Sequence, residues 1–442
     1  MEVAGVRCPR FVIAVLSLLV IAGCGGSGSA PPVAVAEHPT PSGLVVQPQA
    51  AIDPVCNAGR GISLAERGAP LGVEGQIAST VLPNGSVLIA YKSAHSLVVQ
   101  SLTSRCTPDP SFARGGTATL VRPVLWPEAV APRNGGGAVV AGLYQRHPAV
   151  VEVDRHGGIV RGFGHDGRAL FPFCAEPTSV LQEPSGRIIV AGDGWIGSGC
   201  TGNWAAALFA DGRYDSGFGD HGIVPLPTLG ADSGVEGLVR LPGGNLLAQI
   251  GYGNSGCWGY TLRLLQPQGW PVSLFARRFE HFWNKVGFHA FSGSVYTDGR
   301  GFTLVGTGQR PCWIGGPFHS KSATGLVVHF GRNGYLAAPP TRFPSGMHEG
   351  IWALPMGRDT VVATTPYANA TRLTLTAVRP DGSLDPRFGN RGRVLIRMPW
   401  RGQDPGLEAA VAVDKVGSSS ILVLAADGGH HKLLVVRIRR QP

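Results

Sequence analysis

Short apolar segments alternate with turns rich in Gly, Pro and Asp along most of this 442-residue chain. One cycle of the pattern is clear where four apolar segments follow one another at positions 168–173, 177–182, 187–192 and 204–209. Apolar runs of this length, bounded by turn-forming residues, are typical of β-strands. Each cycle therefore predicts four short strands.

The turn that opens each cycle recurs seven times. Its clearest copy is the segment RPDGSLDPRFG from Arg379 to Gly389, and the turn glycine or its equivalent falls at positions 50, 106, 157, 212, 269, 334 and 382. Repeats of 48 to 65 residues are typical of propeller blades, which pack face to face because a single blade cannot bury its own faces. The sequence predicts an all-β fold, a seven-bladed β-propeller of four-stranded antiparallel blades.

The repeat resembles the delta-60 repeat family of bacterial propeller proteins. The resemblance rests on the turn from Arg379 to Gly389 and on the hairpin that ends in Val-Ala-Gly at 190–192. It covers the chain from about residue 50 to the C-terminus, and it implies a propeller fold and a location in the cell envelope. That family is largely without an assigned activity, so the resemblance predicts no reaction.

The N-terminal residues predict export and a lipid anchor. Arg7 and Arg10 precede an apolar stretch, and Cys24 follows the small residues of a cleavage site. We expect residues 1–23 to be a lipoprotein signal peptide, 24–49 a flexible Gly/Ser/Pro-rich tether and 50–442 the propeller. Lipid chains on Cys24 would hold the protein on the extracytoplasmic side of a bacterial membrane. An ordinary signal peptide with an incidental cysteine is the alternative.

Six cysteines follow Cys24, and an even number in an oxidising compartment favours disulfides. Their places in the repeat favour three bridges: Cys56 with Cys106, Cys174 with Cys200, and Cys257 with Cys312. A zinc site is the alternative, but the sequence has no Cys-x-x-Cys and no Cys/His pair at ligand spacing.

A glutamate recurs between the first two predicted strands of six cycles. The set consists of Glu74, Glu128, Glu176, Glu236, Glu349 and Glu408. Equivalent residues of a closed propeller form a ring, where these carboxylates would bind a cation or a polar ligand. Alternatively, each would accept hydrogen bonds from a neighbouring blade. Clustered carboxylates repel one another, which raises their pKa values.

Loops expected at the same end carry aromatic side chains that are typical of recognition surfaces. The candidates for ligand binding are Trp195, Trp258 and Trp313. Their alternative role is to cap the apolar core between blades.

The sequence lacks HExxH, GxSxG and P-loop motifs, and it predicts no catalytic residue, metal or cofactor. Matches to GxGxxG at 192–197 and 251–256 lead into strands instead of helices, so they predict strand exits and not a nucleotide site.

The formal net charge of +10 favours anionic lipids or wall polymers, although arginines dispersed over the surface would give the same total. No nucleic-acid partner is expected, because no basic and aromatic stripe fits a known module. The sequence therefore predicts a monomeric, lipid-anchored binding or scaffold module for an envelope protein or glycan. The alternatives are a carboxylate-dependent hydrolase or lyase acting on an extracellular polymer, and a structural lipoprotein.

Overall fold

The structure is a computed structural model of the chain. It describes residues 73–82, 84–93, 95–105, 107–120, 125–194, 202–228, 232–254, 257–275, 290–297, 301–309, 324–344, 348–366, 372–397, 410–416, 420–427 and 432–439. The chain divides into two compact units, Met1–Pro41 and Ser42–Pro442, and every described residue belongs to the second.

The described residues form seven antiparallel sheets, numbered here in chain order. Sheet 1 consists of β1 (Val73–Val81), β2 (Val87–Ser93), β3 (Ser96–Leu102) and β4 (Thr117–Leu120). Sheet 2 consists of β5 (Trp126–Pro132), β6 (Ala138–Tyr144), β7 (His147–Val153) and β8 (Arg168–Leu170). Sheet 3 consists of β9 (Glu176–Gln182), β10 (Ile188–Asp193), β11 (Trp204–Leu208) and β12 (Ile223–Pro225).

Two of the remaining four sheets show three strands within the described ranges. Sheet 4 consists of β13 (Asp232–Arg240), β14 (Leu246–Asn254) and β15 (Cys257–Leu265). Sheet 5 consists of β16 (Ala290–Thr297), β17 (Gly301–Gln309), β18 (Thr324–Gly331) and β19 (Thr341–Pro344). Sheet 6 consists of β20 (His348–Met356), β21 (Asp359–Pro366), β22 (Arg372–Val378) and β23 (Arg393–Arg397), and sheet 7 of β24 (Ala410–Val416), β25 (Ser420–Asp427) and β26 (Lys432–Arg439).

The predicted grouping of strands into blades was wrong by one strand. Segment 168–173 was expected to share a blade with 177–182, but β8 pairs with β7 of sheet 2. The reason is that the recurrent turn connects the third strand of a sheet to its fourth. Gly157, Gly212, Gly269, Gly334 and Gly382 have φ angles between 76° and 91°, the left-handed conformation that such a turn requires of glycine. The turns were therefore predicted correctly, whereas the blade boundary was not.

The sheets meet through their first strands. In order, β1 contacts β5, β5 contacts β9, β9 contacts β13, β13 contacts β16, β16 contacts β20, β20 contacts β24, and β24 contacts β1. Antiparallel sheets arranged in this way form a β-propeller, as the sequence predicted.

Apolar side chains fill the space between neighbouring sheets. Phe171 and Trp204 are buried with their ring centroids 5.2 Å apart, between sheets 2 and 3. Two of the recurrent turns also bind the turn of the next sheet: the amide of Gly164 donates to the carbonyl of Asp211, and the amide of Gly219 donates to the carbonyl of Gln268, both at 2.7 Å. A phenylalanine precedes each of these two glycines. Phe163 and Phe218 are buried beneath the inter-sheet bonds.

The two ends of the sheets differ in the connections that they carry. The carboxylate end is where first strands begin and second strands end. The turn end carries the hairpins between first and second strands and the turns between third and fourth strands. Across the described part of the chain, no helix is long and apolar enough to span a bilayer.

Candidate functional site

Three first strands contain a β-bulge whose extra residue is a glutamate. Glu128 is the unpaired residue in β5, between the paired positions 127 and 129. Glu236 holds the same place in β13, and Glu349 in β20. A bulge removes one residue from the ladder and redirects its side chain. These three glutamates, at the carboxylate end, therefore fall outside the regular pairing of their strands.

Sheet 3 departs from this arrangement. The bulge in β9 falls on Thr178, whose hydroxyl donates to the carbonyl of Val235 in sheet 4 at 2.6 Å. Glu176 lies two positions earlier, opposite Asp193 of β10. The predicted glutamates are thus not all equivalent, because spacing along the sequence does not show which residue of a strand forms the bulge.

Three carboxyl groups interact between sheets 2 and 3. Burial, with smaller contributions from the negative charges of Glu176 and Asp193, raises the pKa of Glu128 to about 7. Burial raises the pKa of Asp193 to about 6, with Glu176 contributing. Near neutral pH, Glu128 is therefore about half protonated, and it can donate a hydrogen bond while its neighbours accept one.

Glu236 extends the cluster to sheet 4. Its side chain is exposed to water, yet desolvation raises its pKa to about 7, against the lowering effect of a 2.8 Å hydrogen bond from Gln249. Protein atoms thus surround much of the carboxyl group although water reaches the side chain. The carboxyl group of Glu236 also occupies the position that a side chain at Gly251 would take.

Asp193 connects these groups across sheets. A Cβ atom at Gly234 of β13 would lie 3.3 Å from the carboxyl group of Asp193. Glu128, Glu176 and Glu236 lie in the first strands of sheets 2, 3 and 4, and Asp193 ends the second strand of sheet 3. We call the set Glu128, Glu176, Asp193 and Glu236 the carboxylate cluster.

An exposed tryptophan adjoins the carboxylate cluster. Trp126 begins β5, two residues before Glu128, and 42% of its surface is exposed. The ammonium group of Lys92, at the end of β2, lies 3.8 Å from the centre of its ring. This cation–π contact joins sheets 1 and 2 and holds the indole in one orientation.

Several predicted residues are placed only by their backbone. Glu74 lies in an irregular part of β1, Glu349 forms the bulge of β20, and Cys257 and Trp258 begin β15. Cys174 forms a disulfide bond. Six other predicted residues lie outside the described ranges: Cys56, Cys106, Cys200, Cys312, Trp195 and Trp313. So do Cys24, the predicted lipidation site, and Glu408. The disulfide pairings therefore stay predictions.

Sequence reasoning missed Asp193 and Lys92. Both stand near the end of a second strand: Asp193 pairs with Glu176, and Lys92 lies beside the irregular part of β1. A comparison of charged residues at that position of each cycle could have found them. Among the described residues, no three His, Cys, Asp or Glu side chains are grouped closely enough to hold a metal ion. What the described groups can provide is a mixed set of hydrogen-bond donors and acceptors beside an aromatic face.

No model of a known protein family and no curated protein matches the chain. Solved structures similar to it include a catalytically inactive virginiamycin B lyase from Staphylococcus aureus with quinupristin (12% identity, 86% of this chain and 98% of that chain, TM-score 0.45). Others are the polysaccharide lyase Uly1 (8%, 84% and 91%, TM-score 0.46) and the Dos1 propeller (10%, 83% and 94%, TM-score 0.45). At these scores the similarities add nothing about activity, and the β-propeller fold rests on the arrangement of this chain's own sheets.

Proposed function

We propose that the protein is a lipid-anchored, extracytoplasmic binding module that takes a polar ligand at the carboxylate end. The observation that carries the proposal is the meeting of Glu128, Glu176 and Asp193 from two sheets, with two of their pKa values raised to about 6 and 7. Keeping like charges together in a partly buried place costs stability, and such clusters are typical of functional sites.

An envelope glycan fits this end better than a protein does. Sugar hydroxyls both donate and accept hydrogen bonds, which a half-protonated Glu128 beside the oxygens of Glu176 and Asp193 can satisfy. The exposed face of Trp126 offers an apolar, rigid surface on which a sugar ring can pack. A protein partner is the other outcome of the experiment below.

The remaining parts of the proposal concern the whole chain. Seven sheets whose first strands contact in a closed series support a seven-bladed propeller. The recurrent turn supports membership of the delta-60 repeat family, and Cys24 supports a lipid anchor followed by a tether. Since Cys174 forms a disulfide, we propose that its partner is Cys200 and that the other two predicted bridges also form.

The test is retention of envelope material by the immobilised chain from Ser42 onward, which contains every described strand. Glu128→Gln together with Glu236→Gln keeps the shape of both side chains and removes their titration. We expect the parent to retain a glycan and the variant to lose it. Equal retention by both forms contradicts a role for the carboxylate cluster, and a retained protein that the variant loses replaces the glycan with a protein partner.

A carboxylate-dependent hydrolase or lyase is the second candidate, favoured by one observation. A carboxyl group with a pKa of about 7 beside one with a pKa of about 6 resembles the acid and base pair that such reactions need. Incubation of the same glycan with parent and Glu128→Gln protein, followed by mass analysis, distinguishes the two. New reducing or unsaturated ends with the parent alone would establish the enzyme, and intact glycan in both supports the binding module.

A further inference from the structure

An apolar patch lies at the turn end of sheets 4 and 5. Among the described residues, seven large hydrophobic side chains are exposed, and four of them lie in two neighbouring turns: Trp270 (54%), Leu274 (56%), Tyr335 (53%) and Leu336 (44%). We call these four residues the apolar patch. Exposed groups of this kind mark interaction surfaces.

The two turns are in contact. Gly334 of the second turn lies against the ring of Phe275 in the first, so closely that a side chain there would overlap the ring. The first turn, 264–275, contains no Asp, Glu, Lys or Arg, and the second, 331–340, contains only Arg332. The patch is therefore continuous and carries no negative charge.

An arginine pocket continues this surface into sheet 6. A cavity of about 510 Å³ is lined by Arg358, Arg379 and Arg387 together with Asp359 and Asp381. It adjoins sheet 5 through Thr341, whose hydroxyl donates to the carbonyl of Pro380 at 3.2 Å. The turns that carry the patch and the pocket thus lie at the same end of three neighbouring sheets.

Neighbouring groups already donate hydrogen bonds to the two aspartates in the turn from Arg379 to Gly389. Asp385 is fully buried and accepts from Arg379 at 3.0 Å and from Arg387 at 3.2 Å. Asp381 accepts from the amide and hydroxyl of Ser383 at 2.9 and 2.7 Å. Arg358 belongs to none of the ion pairs found among the described residues. Its guanidinium and the outer faces of the other two arginines are available to an anion.

The described loops at the turn end of sheets 4 to 6 carry an excess of positive charge. Segments 240–246, 264–275, 329–342, 355–360 and 378–393 contain eight arginines and three aspartates. Arginine forks match phosphate oxygens. Trp, Tyr and Leu beside cations are the side chains that settle at the boundary between lipid headgroups and acyl chains.

We propose that the turn end of sheets 4 to 6 docks onto an anionic phospholipid surface, with the apolar patch entering the headgroup boundary and the arginine pocket taking a lipid phosphate. The proposal rests on the envelope location proposed above. It gives the anchored propeller a defined orientation, since the carboxylate end then faces away from the membrane. A second copy of the chain is less suited to this surface, because its own turn end would present the same positive excess.

Co-sedimentation with vesicles tests the docking, using the chain from Ser42 onward so that neither the apolar leader nor the anchor contributes. The probes are vesicles of equal parts phosphatidylglycerol and phosphatidylcholine, and vesicles of phosphatidylcholine alone. We expect binding that favours the anionic vesicles and weakens at high salt. Trp270→Ser with Tyr335→Ser should lower the partition coefficient at least about ten-fold. Arg358→Gln with Arg387→Gln should lower it about ten-fold on anionic vesicles only.

The matched control is Trp126→Ser, which removes an exposed tryptophan from the opposite end and should leave vesicle binding unchanged. Circular dichroism of each variant confirms that it is folded. Absence of binding to either vesicle, equal binding to both, or a loss caused by Trp126→Ser would each overturn the proposal. So would sedimentation showing a dimer that Trp270→Ser dissociates. Because retention of envelope glycan is measured separately, failure of docking and failure of the proposed ligand site can be distinguished.

Discussion

At the carboxylate end, Glu128 and Asp193 lie near other acids and their pKa values are raised. At the turn end, Asp385 is more deeply buried but lies between Arg379 and Arg387. Burial is the largest cause of the raised pKa values of Glu128 and Asp193, and neighbouring negative charges add to it, whereas two guanidinium groups pair with Asp385. At the turn end, opposite charges pair within the turn from Arg379 to Gly389, whereas at the carboxylate end acidic groups lie close to one another.

The largest effect is expected from removing the buried aspartate of the turn end. Asp385→Ala abolishes charge-assisted hydrogen bonds to two arginines and should lower the free energy of unfolding by about 2–3 kcal/mol. Denaturant unfolding measures this change. Asp381→Ala, an exposed position in the same turn, is the control and should cost much less than Asp385→Ala. Similar costs at the two positions would show that Asp385 does not hold the turn.

A substitution beside the bulge should disturb the carboxylate end. A Cβ atom at Gly192 would overlap the carbonyl of Glu176, which is backbone and cannot move alone. Gly192→Ala should therefore cost about 2 kcal/mol and displace β9. Gly237→Ala is the control, because its Cβ would approach the nearest side chain at an ordinary 3.9 Å. Equal unfolding midpoints for the two variants would contradict the close approach.

The two ends should respond to pH in opposite directions. The pKa of Glu128 is raised from 4.5 to about 7 in the folded protein, so its contribution to stability is present at low pH and is lost as pH rises through that range. The pKa of Asp381 is lowered by the hydrogen bonds from Ser383, so its contribution is lost as pH falls below the ordinary range. Melting temperatures should fall by a few degrees between pH 5 and pH 8, and Glu128→Gln should reduce that fall. An unchanged slope in the Glu128→Gln protein would contradict the raised pKa.

The smallest effect should come from Gly251→Ala. The new methyl group would take the place of the Glu236 carboxyl group, which can swing toward water because it ends a flexible side chain. The pKa of Glu236 should then fall from about 7 toward its ordinary value of 4.5, with little loss of stability. Carbon-13 NMR titration of glutamate carboxyl groups in the two proteins measures this shift. A carboxyl group that still titrates near 7 in the variant would show that Glu236 is not displaced.

The repeated turns could be predicted from the sequence because each is local. Gly212 and Gly382 follow from the dipeptide Asp-Gly, and the buried Phe218 and Phe388 follow from their place after the turn. The assignment of β8 to the preceding sheet could not be predicted, since the same apolar segment can pair with the strand before it or after it. Pairing is a property of the folded chain and not of the segment.

The carboxylate cluster was only partly predictable for the same reason. Glu128 and Glu236 recur in sequence, but Asp193 approaches Glu128 from another strand, and Thr178 replaces a glutamate in the bulge of β9. The arginine pocket gave no sequence signal, because Arg358 and Arg379 are distant in the chain and meet only at the turn end of sheet 6.

The most direct test of the account is a single comparison of two variants in two measurements. The Glu128→Gln, Glu236→Gln protein and the Trp270→Ser, Tyr335→Ser protein are each assayed for retention of envelope glycan and for sedimentation with anionic vesicles. We expect the first variant to lose only the retention of glycan and the second to lose only the binding of vesicles. If either variant loses both activities while remaining folded, or if each loses the activity assigned to the other end, the separation of roles between the two ends is wrong.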